Sequence, residues 1–269
     1  NSFKEASILT APANPFEQLA YNVSLQIQDG MIVYVGTGLP MVGAILAKYT
    51  HAPHITLVYE SGGQDPWEGP MPWSVGGAAT YRRAPMTMEM AHSFAMAANG
   101  FVDIAFQGAA QIDMYGNLNT HFIGESYHNF KARLTGSGGG NDLSSLTERL
   151  VLVGLQDPSK FPAKVDFLTS PGHLTGGNSR KEAGLPGIGP VACISQLGVM
   201  DFEPESKRMR IKGLNPGITV EIAQACTGFE LLVPDKIEDI PVPSDDILKI
   251  LREEVDPNAI FIEFPPRVK

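Results

Sequence analysis

The sequence predicts an α/β fold: an open, mostly parallel sheet flanked by helices, with a late β-hairpin and a C-terminal helix. Three observations point to it. Short, β-branched, almost wholly apolar runs alternate with longer stretches at helical spacing. Glycine-rich turns stand where a run of the first kind passes into one of the second. The apolar runs lack a polar face, as strands covered by helices on both sides must.

The elements follow in order. Residues 16–29 place Leu19, Ala20, Val23 and Ile27 near helical spacing, so an amphipathic helix is expected there, closed by Gly30. Residues 31–36 (MIVYVG) read as a buried strand, which runs through Gly36-Thr37-Gly38-Leu39-Pro40 into a helix over 41–50. Pro40 fits a first helical turn, where its missing N–H costs nothing. Residues 55–60 (ITLVYE) form another strand, ending at Glu60. Strand, glycine turn, helix, strand is a parallel crossover unit. A Met- and Ala-rich helix is expected over 86–100, then a strand over 102–108, a turn and strand over 115–124, and strands over 148–155 and 164–170. Residues 190–202 pair with 206–214 as a hairpin, and 245–257 close the chain as a helix with Ile247, Leu248, Ile250 and Leu251 facing inward. Two stretches, 61–77 and 170–190, are dense in Gly and Pro and long for connections; such loops are often functional or lie at subunit contacts.

Composition narrows the function. The 269 residues, 43% of them hydrophobic and 18% charged, carry no internal repeat and no low-complexity linker, so one domain over 1–269 is expected. A net charge of −9 argues against a nucleic-acid partner. No apolar run approaches the roughly 20 residues of a spanning helix, so no membrane is expected. The first residues show no basic stretch followed by an apolar one, and the two cysteines, Cys193 and Cys226, make no disulfide framework, so the expectation is a reduced, cytoplasmic protein. The six histidines are scattered, Pro53 interrupts the pair His51 and His54, and no metal site is expected. Ser137 lacks a nucleophile elbow because position 135 is Thr, and Cys193 lies in an apolar run as core.

Four features could carry chemistry. Glu60 ends a buried strand, where open α/β sheets place ligands, and Ser61-Gly62-Gly63 after it would let a ligand or another backbone come close. A solvated strand-end carboxylate, or a partner for an arginine, is the plain alternative. Thr135 through Asp142 (TGSGGGND) can turn consecutive N–H groups into a nest for an oxyanion, or be a flexible surface loop. The turn at 36–40 opens a helix and could meet a phosphate or carboxylate, although such turns also occur without a ligand. In 108–119 (GAAQIDMYGNLN), Asp113 to Asn117 reads as a turn, and Gln111 either donates into a site or stabilises that turn.

The order G-T-G-x-P, E-S-G, G-A-x-Q-x-D-x-x-G-N-x-N and G-S-G-G-x-N resembles the β subunit of class I CoA-transferases, closest to the glutaconate type, from about residue 16 to the end. Thr169-Ser170-Pro171-Gly172, Gly184-Leu185-Pro186-Gly187, Thr227-Gly228-Phe229 and residues 251–257 extend the similarity. The resemblance implies the class I fold and a ping-pong transfer of CoA between an acyl-CoA and a free carboxylic acid, through a glutamyl-CoA thioester on Glu60. It implies Gly138 and Gly139 as oxyanion donors, and Gly36, Thr37, Gly38, Leu39, Pro40, Gly62, Gln111 and Asn141 as the CoA-binding set. It further implies an α subunit in a hetero-oligomer (α2β2 or larger), CoA and acyl-CoA as substrates with no tightly bound cofactor, and dicarboxylic acids as the exchanged acids. An acyl-CoA hydrolase, or a ring-cleaving or decarboxylating enzyme on the same scaffold, is the alternative. Residues 62–67, and 67–90 generally, depart from the glutaconate type and leave the substrate open.

Overall fold

The computed structural model describes residues 13–66 and 71–263. Residues 1–12, where no export signal is expected, and 67–70 of the departing segment lie outside the described residues.

The first helix, α1 (Pro15–Ser24), starts in a capping box: the Asn14 side chain accepts from the N–H groups of Phe16 and Glu17, and Glu17 accepts from the Asn14 N–H in return. It is shorter than the predicted 16–29, because the Ser24 hydroxyl donates back to the Tyr21 carbonyl and the chain leaves by tight turns that still bury Ile27. Then come β1 (Ile32–Val35), α2 (Leu39–Tyr49) and β2 (Thr56–Tyr59), with β1 and β2 parallel, which is the predicted crossover unit.

The sheet continues with β3 (Gly63–Gln64), β4 (Met86–Thr87), β5 (Ile104–Gly108), β10 (Arg149–Val153), β11 (Gly189–Ser195), β12 (Gly198–Phe202), β13 (Met209–Leu214) and β14 (Glu238–Asp239). Its order is β14-β13-β12-β11-β10-β5-β1-β2-β3-β4. The five central strands, from β11 to β2, are parallel; β3 and β4 extend one side antiparallel, and β12 and β13 extend the other antiparallel with β14 parallel to β13 at the edge. Strand order reverses at β1, since β2 follows on one side and β5 on the other. Such a switch point leaves a crevice at the carboxyl ends of the strands. Apart from this sheet, the short strands β6 (Gln111–Ile112) and β7 (Leu118–Asn119) pair antiparallel with each other.

Period-2 alternation assigns the faces. Val33, Val35, Leu57 and Tyr59 join one apolar cluster with α1 and α2, whereas Tyr34 and Val58 join a second. The second cluster holds Ala97 of α3 (Met90–Ala98) and Leu143 of α4 (Gly140–Leu146). Glu60 is next in step with Val58, so its side chain falls on the α3/α4 face.

Several expectations need correction. The helix expected over 86–100 starts only at Met90, because Met86 and Thr87 pair with Gln64 and Gly63 at the sheet edge. Residues 164–170 form no strand: Ser170 makes one isolated bridge to Leu118, and the Asp166 carboxylate accepts from the Gly124 N–H. Residues 190–202 fold back on themselves as β11 and β12, so the predicted hairpin is a three-strand meander whose first strand also pairs in parallel with β10. The C-terminal helix is α-helical over Asp245–Ile250 and continues as a π-turn over Leu251–Val255. Its inner side is as expected, with Leu248 and Leu251 buried and Ile247 and Ile250 packed against the core. Arg252 then clamps the buried Glu17 through two hydrogen bonds of 2.6 and 2.8 Å, tying this end of the chain to α1.

Side chains lace the loop over 170–190, Asn117 accepting from the Gly172 and Leu174 N–H groups at its start. The buried Arg180 guanidinium donates to the carbonyls of Gly172, Ser144 and Pro186 at 2.8–3.0 Å, fixing the loop beneath α4. Within the loop, His173 donates through Nε2 to the Pro190 carbonyl and meets the edge of Phe202, and burial brings its pKa down from 6.5 to about 4. The unfolded chain therefore takes up this proton first as pH falls. The stability that neutral His173 lends is complete above about pH 6.5 and is lost between there and about pH 4, amounting to about 3 kcal/mol at most. Denaturant melts from pH 8 to pH 4 should show a shallower acid decline for His173→Gln than for the parent; parallel declines would contradict the assignment.

Candidate functional site

Glu60 stands one residue beyond β2, partly buried, with Oε1 accepting from the Gly139 N–H at 3.1 Å. Its main chain is held from below: the Ser93 hydroxyl donates to the Glu60 carbonyl at 3.2 Å and lies 3.0 Å from the Tyr34 hydroxyl. The turn out of the strand closes at once, with the Gly62 N–H donating to the Tyr59 carbonyl. Gly62 has φ +101°, and a Cβ there would stand 1.9 Å from the Met88 carbonyl oxygen. At Gly63 the same clash would be with the Thr80 carbonyl. Of the two approaches the glycines could allow, the structure has the backbone one. They let the chain before α3 close against the turn that follows Glu60, and Gly62 itself is buried behind Glu60.

The glycine-rich segment arrives from the opposite side. It follows a hairpin, β8 (Phe122–Ser126) and β9 (Asn129–Arg133), of which the strand expected over 115–124 covers only the start, and ends in the short helix α4, missed because glycines open it. The Leu134 and Gly136 N–H groups donate to the carbonyls of His121 and Thr120, pinning one end of the segment. Gly139 pins the other on Glu60. An added Cβ at Gly139 would lie 2.1 Å from the Phe94 ring and 3.2 Å from the Glu60 carboxyl carbon; at Gly138 it would be 3.5 Å from Oε1. A main-chain donor can reach the carboxylate here because no side chain stands in the way.

These parts border a cleft of about 850 Å³. Its floor is the carboxyl ends of three neighbouring parallel strands: Gly36 and Thr37 after β1, Glu60 after β2, and Phe106 to Gly108 in β5. Thr120 and the segment Arg133 to Gly138 form the facing border. Glu60 and Arg133 are the charged residues among those lining it. Two buried polar atoms along the lining, Gln107 Oε1 and Thr120 Oγ1, have no hydrogen-bond partner among the described residues.

Of the residues singled out from sequence, the fold brings Glu60, Gly138, Gly139, Gly36 and Thr37 together. Gly38, Leu39 and Pro40 build the start of α2, with Gly38 at φ +91°, and do not line the cleft. Thr37 accepts from the Val75 N–H, which ties this turn to the long loop after Glu60. Gln111 is buried away from the cleft, its amide oxygen accepting from Asn119 and from the Asp166 N–H, so the geometry supports its turn-stabilising reading. Asn141 is exposed and donates to the Thr169 carbonyl. Asp113 does build the expected turn, accepting from the N–H groups of Tyr115 and Asn117. Cys193 is fully buried, and burial pushes its thiol well up, as suits core. Among the described residues no group of three His, Cys, Asp or Glu side chains is placed to hold a metal, and no helix is long and apolar enough to cross a membrane.

Sequence reading missed Phe94, Gln107, Thr120 and Arg133. Gln107 has a signal, a polar residue at the carboxyl end of an apolar strand, the same mark that draws attention to Glu60. The others depend on tertiary contacts.

Known proteins are similar to this chain in sequence and fold. Residues 16–224 match the family model described as Coenzyme A transferase. One subunit of the glutaconate CoA-transferase of Acidaminococcus fermentans is 35% identical over 259 residues, spanning 94% of this chain and 96% of that one. The corresponding subunit of the 3-oxoadipate CoA-transferase of Pseudomonas knackmussii is 33% identical, covering 88% and 91%. The crystal structure of the Acidaminococcus glutaconate enzyme superposes with a TM-score of 0.86 at 33% identity, covering 94% of this chain and 98% of that one.

Proposed function

We propose, from the premise that this chain belongs to the coenzyme A transferase family and is a CoA-transferase subunit, that it moves CoA between an acyl-CoA and a free dicarboxylic acid by covalent catalysis at Glu60. The observation that carries this reading is the Glu60 carboxylate, at the mouth of the parallel strands, hydrogen-bonded to a main-chain N–H of a glycine-rich turn. Dicarboxylic acids are suggested by the names of the two relatives, since glutaconate and 3-oxoadipate are both dicarboxylates.

A Glu60 oxygen first attacks the thioester carbonyl of the donor, forming a mixed anhydride and expelling CoA thiolate. The thiolate attacks the glutamyl carbonyl, the donor leaves as its carboxylate, and a glutamyl-CoA thioester remains. The acceptor carboxylate attacks that thioester and frees the thiolate again. The thiolate then attacks the acceptor's acyl carbonyl, and Glu60 leaves as carboxylate. Dividing one transfer into several is the general gain of a covalent intermediate.

Two of these additions place negative charge on the Glu60 carbonyl oxygen itself. The Gly139 N–H, 3.1 Å from Oε1, stands where that charge develops. A fixed donor of this kind is worth on the order of 3 kcal/mol. The other two additions place the charge on the substrate's oxygen, for which Gly138 and a second chain are the sources we assign. Both relatives are named as single subunits of their enzymes, which supports an unlike partner subunit completing the cleft.

The test is trapping. Incubation with acyl-CoA followed by borohydride or hydroxylamine should modify the peptide carrying Glu60, and omission of acyl-CoA should leave it untouched. Steady release of CoA without an acceptor acid, and with no modified Glu60, would instead identify a hydrolase or lyase on this scaffold.

A further inference from the structure

We infer that Arg133 is the specificity-determining residue of the cleft, its guanidinium receiving the second carboxylate of a dicarboxylic substrate whose first carboxyl group reacts at Glu60. This rests on the transfer reading above and extends it to a residue of this chain.

Arg133 closes β9 and begins the turn that ends at Gly139, so one short segment carries both the cation and the donor facing Glu60. Its backbone is fixed by the ladder to Phe122 and by the Leu134 N–H on the His121 carbonyl. The guanidinium donates to that same carbonyl and lies over the Tyr127 ring, 5.5 Å from its centre. No carboxylate pairs with it among the described residues, and it is exposed at the cleft. An arginine has five N–H donors in a planar fork matched to a carboxylate, and the His121 carbonyl engages one nitrogen.

Charge explains why such a residue belongs here. Glu60 is a carboxylate when the donor ester arrives, so a donor that carries a distal carboxylate is repelled unless a cation shares the space, and an acceptor diacid brings a second charge to the same cleft. A monocarboxylate brings its only charge to the reacting end and leaves the guanidinium bare. A dicarboxylate satisfies both. The Thr120 hydroxyl, buried, unpartnered and lining the same cleft, is a further donor for the same anion.

The experiment uses the two-subunit enzyme, one fixed acyl-CoA donor, and acceptors matched in chain length: glutarate against pentanoate, and adipate against hexanoate. For Arg133→Gln, the ratio of kcat/KM for diacid over monoacid is expected to fall about 10- to 100-fold, the weight of a charge-assisted pair. Arg133→Lys, which keeps the charge and loses the fork, should recover part of that ratio. An unchanged ratio overturns the inference. So does a rise in KM for the CoA ester that is equal for every acyl group, since the guanidinium would then be serving a CoA phosphate. Borohydride trapping on the same preparations separates the two readings: if the parent is never labelled, covalent transfer fails. The Arg133 assignment is then decided by calorimetric binding of glutarate and pentanoate to parent and Arg133→Gln, where an unaltered affinity ratio rejects it.

Discussion

Glu60→Gln is expected to lower CoA transfer by on the order of 10⁴-fold or more, because it removes the nucleophile that this chain brings to the proposed route. The amide nearly copies the shape of the carboxylate, so the fold and the cleft should survive. Acyl-CoA affinity is therefore expected to change little, and the loss should appear in kcat. Trapping with borohydride should yield no modified residue at position 60. Glu60→Asp is the sharper control. It keeps the charge but withdraws the carboxylate by one methylene from the Gly139 N–H, which it now meets at 3.1 Å. A misplacement of that size costs about 10²-fold. An aspartate variant as active as the parent would show that the reacting group lies elsewhere.

The second large effect is expected at Gly139. A methyl group there would come within 2.1 Å of the Phe94 ring, which also stacks on Tyr34 at 6.0 Å, so either the ring or the turn must give way. A turn pushed aside carries the amide away from Oε1. The expected result for Gly139→Ala is a loss of about 10²- to 10³-fold in kcat, comparable to deleting an oxyanion donor. Truncating the obstacle should reverse it: Phe94→Ala with Gly139→Ala should transfer CoA about tenfold faster than Gly139→Ala alone. Without that rescue, the loss would not come from crowding against the ring. A melting temperature for each variant keeps lost chemistry distinct from lost folding.

Much of this site is legible in the sequence. Glu60 stands out because it ends an apolar strand beside a glycine turn; a solvated strand-end carboxylate would look the same alone, and the order of the four motifs is what favours a site. The glycine-rich turn reads as a nest, but its neighbours do not show. The helix over Gly140–Leu146 opens with residues of poor helix propensity, and it forms because its Leu143 enters the core. Arg133 escapes notice because β9 is exposed along its whole length, so the alternation of Phe130 and Ala132 marks no buried face. Phe94 looks like core filling in a Met-rich helix; its role comes from a contact 45 residues away in sequence, with Gly139. Gln111 shows the converse, since its place in a motif says nothing of its burial beneath Asn119. What stays hidden is the pairing of elements distant along the chain, which periodicity does not encode.

The group that meets Glu60 belongs to the main chain, so substitution can displace it but not erase it. Every codon change at position 139 short of proline leaves an amide proton in place where a side-chain donor would be erased, although even a methyl group there must shift the ring or the turn. Such changes alter only how well the proton is aimed. Descendants of this chain can thus abandon the chemistry by exchanging a single acid, and still inherit the socket that was built around it.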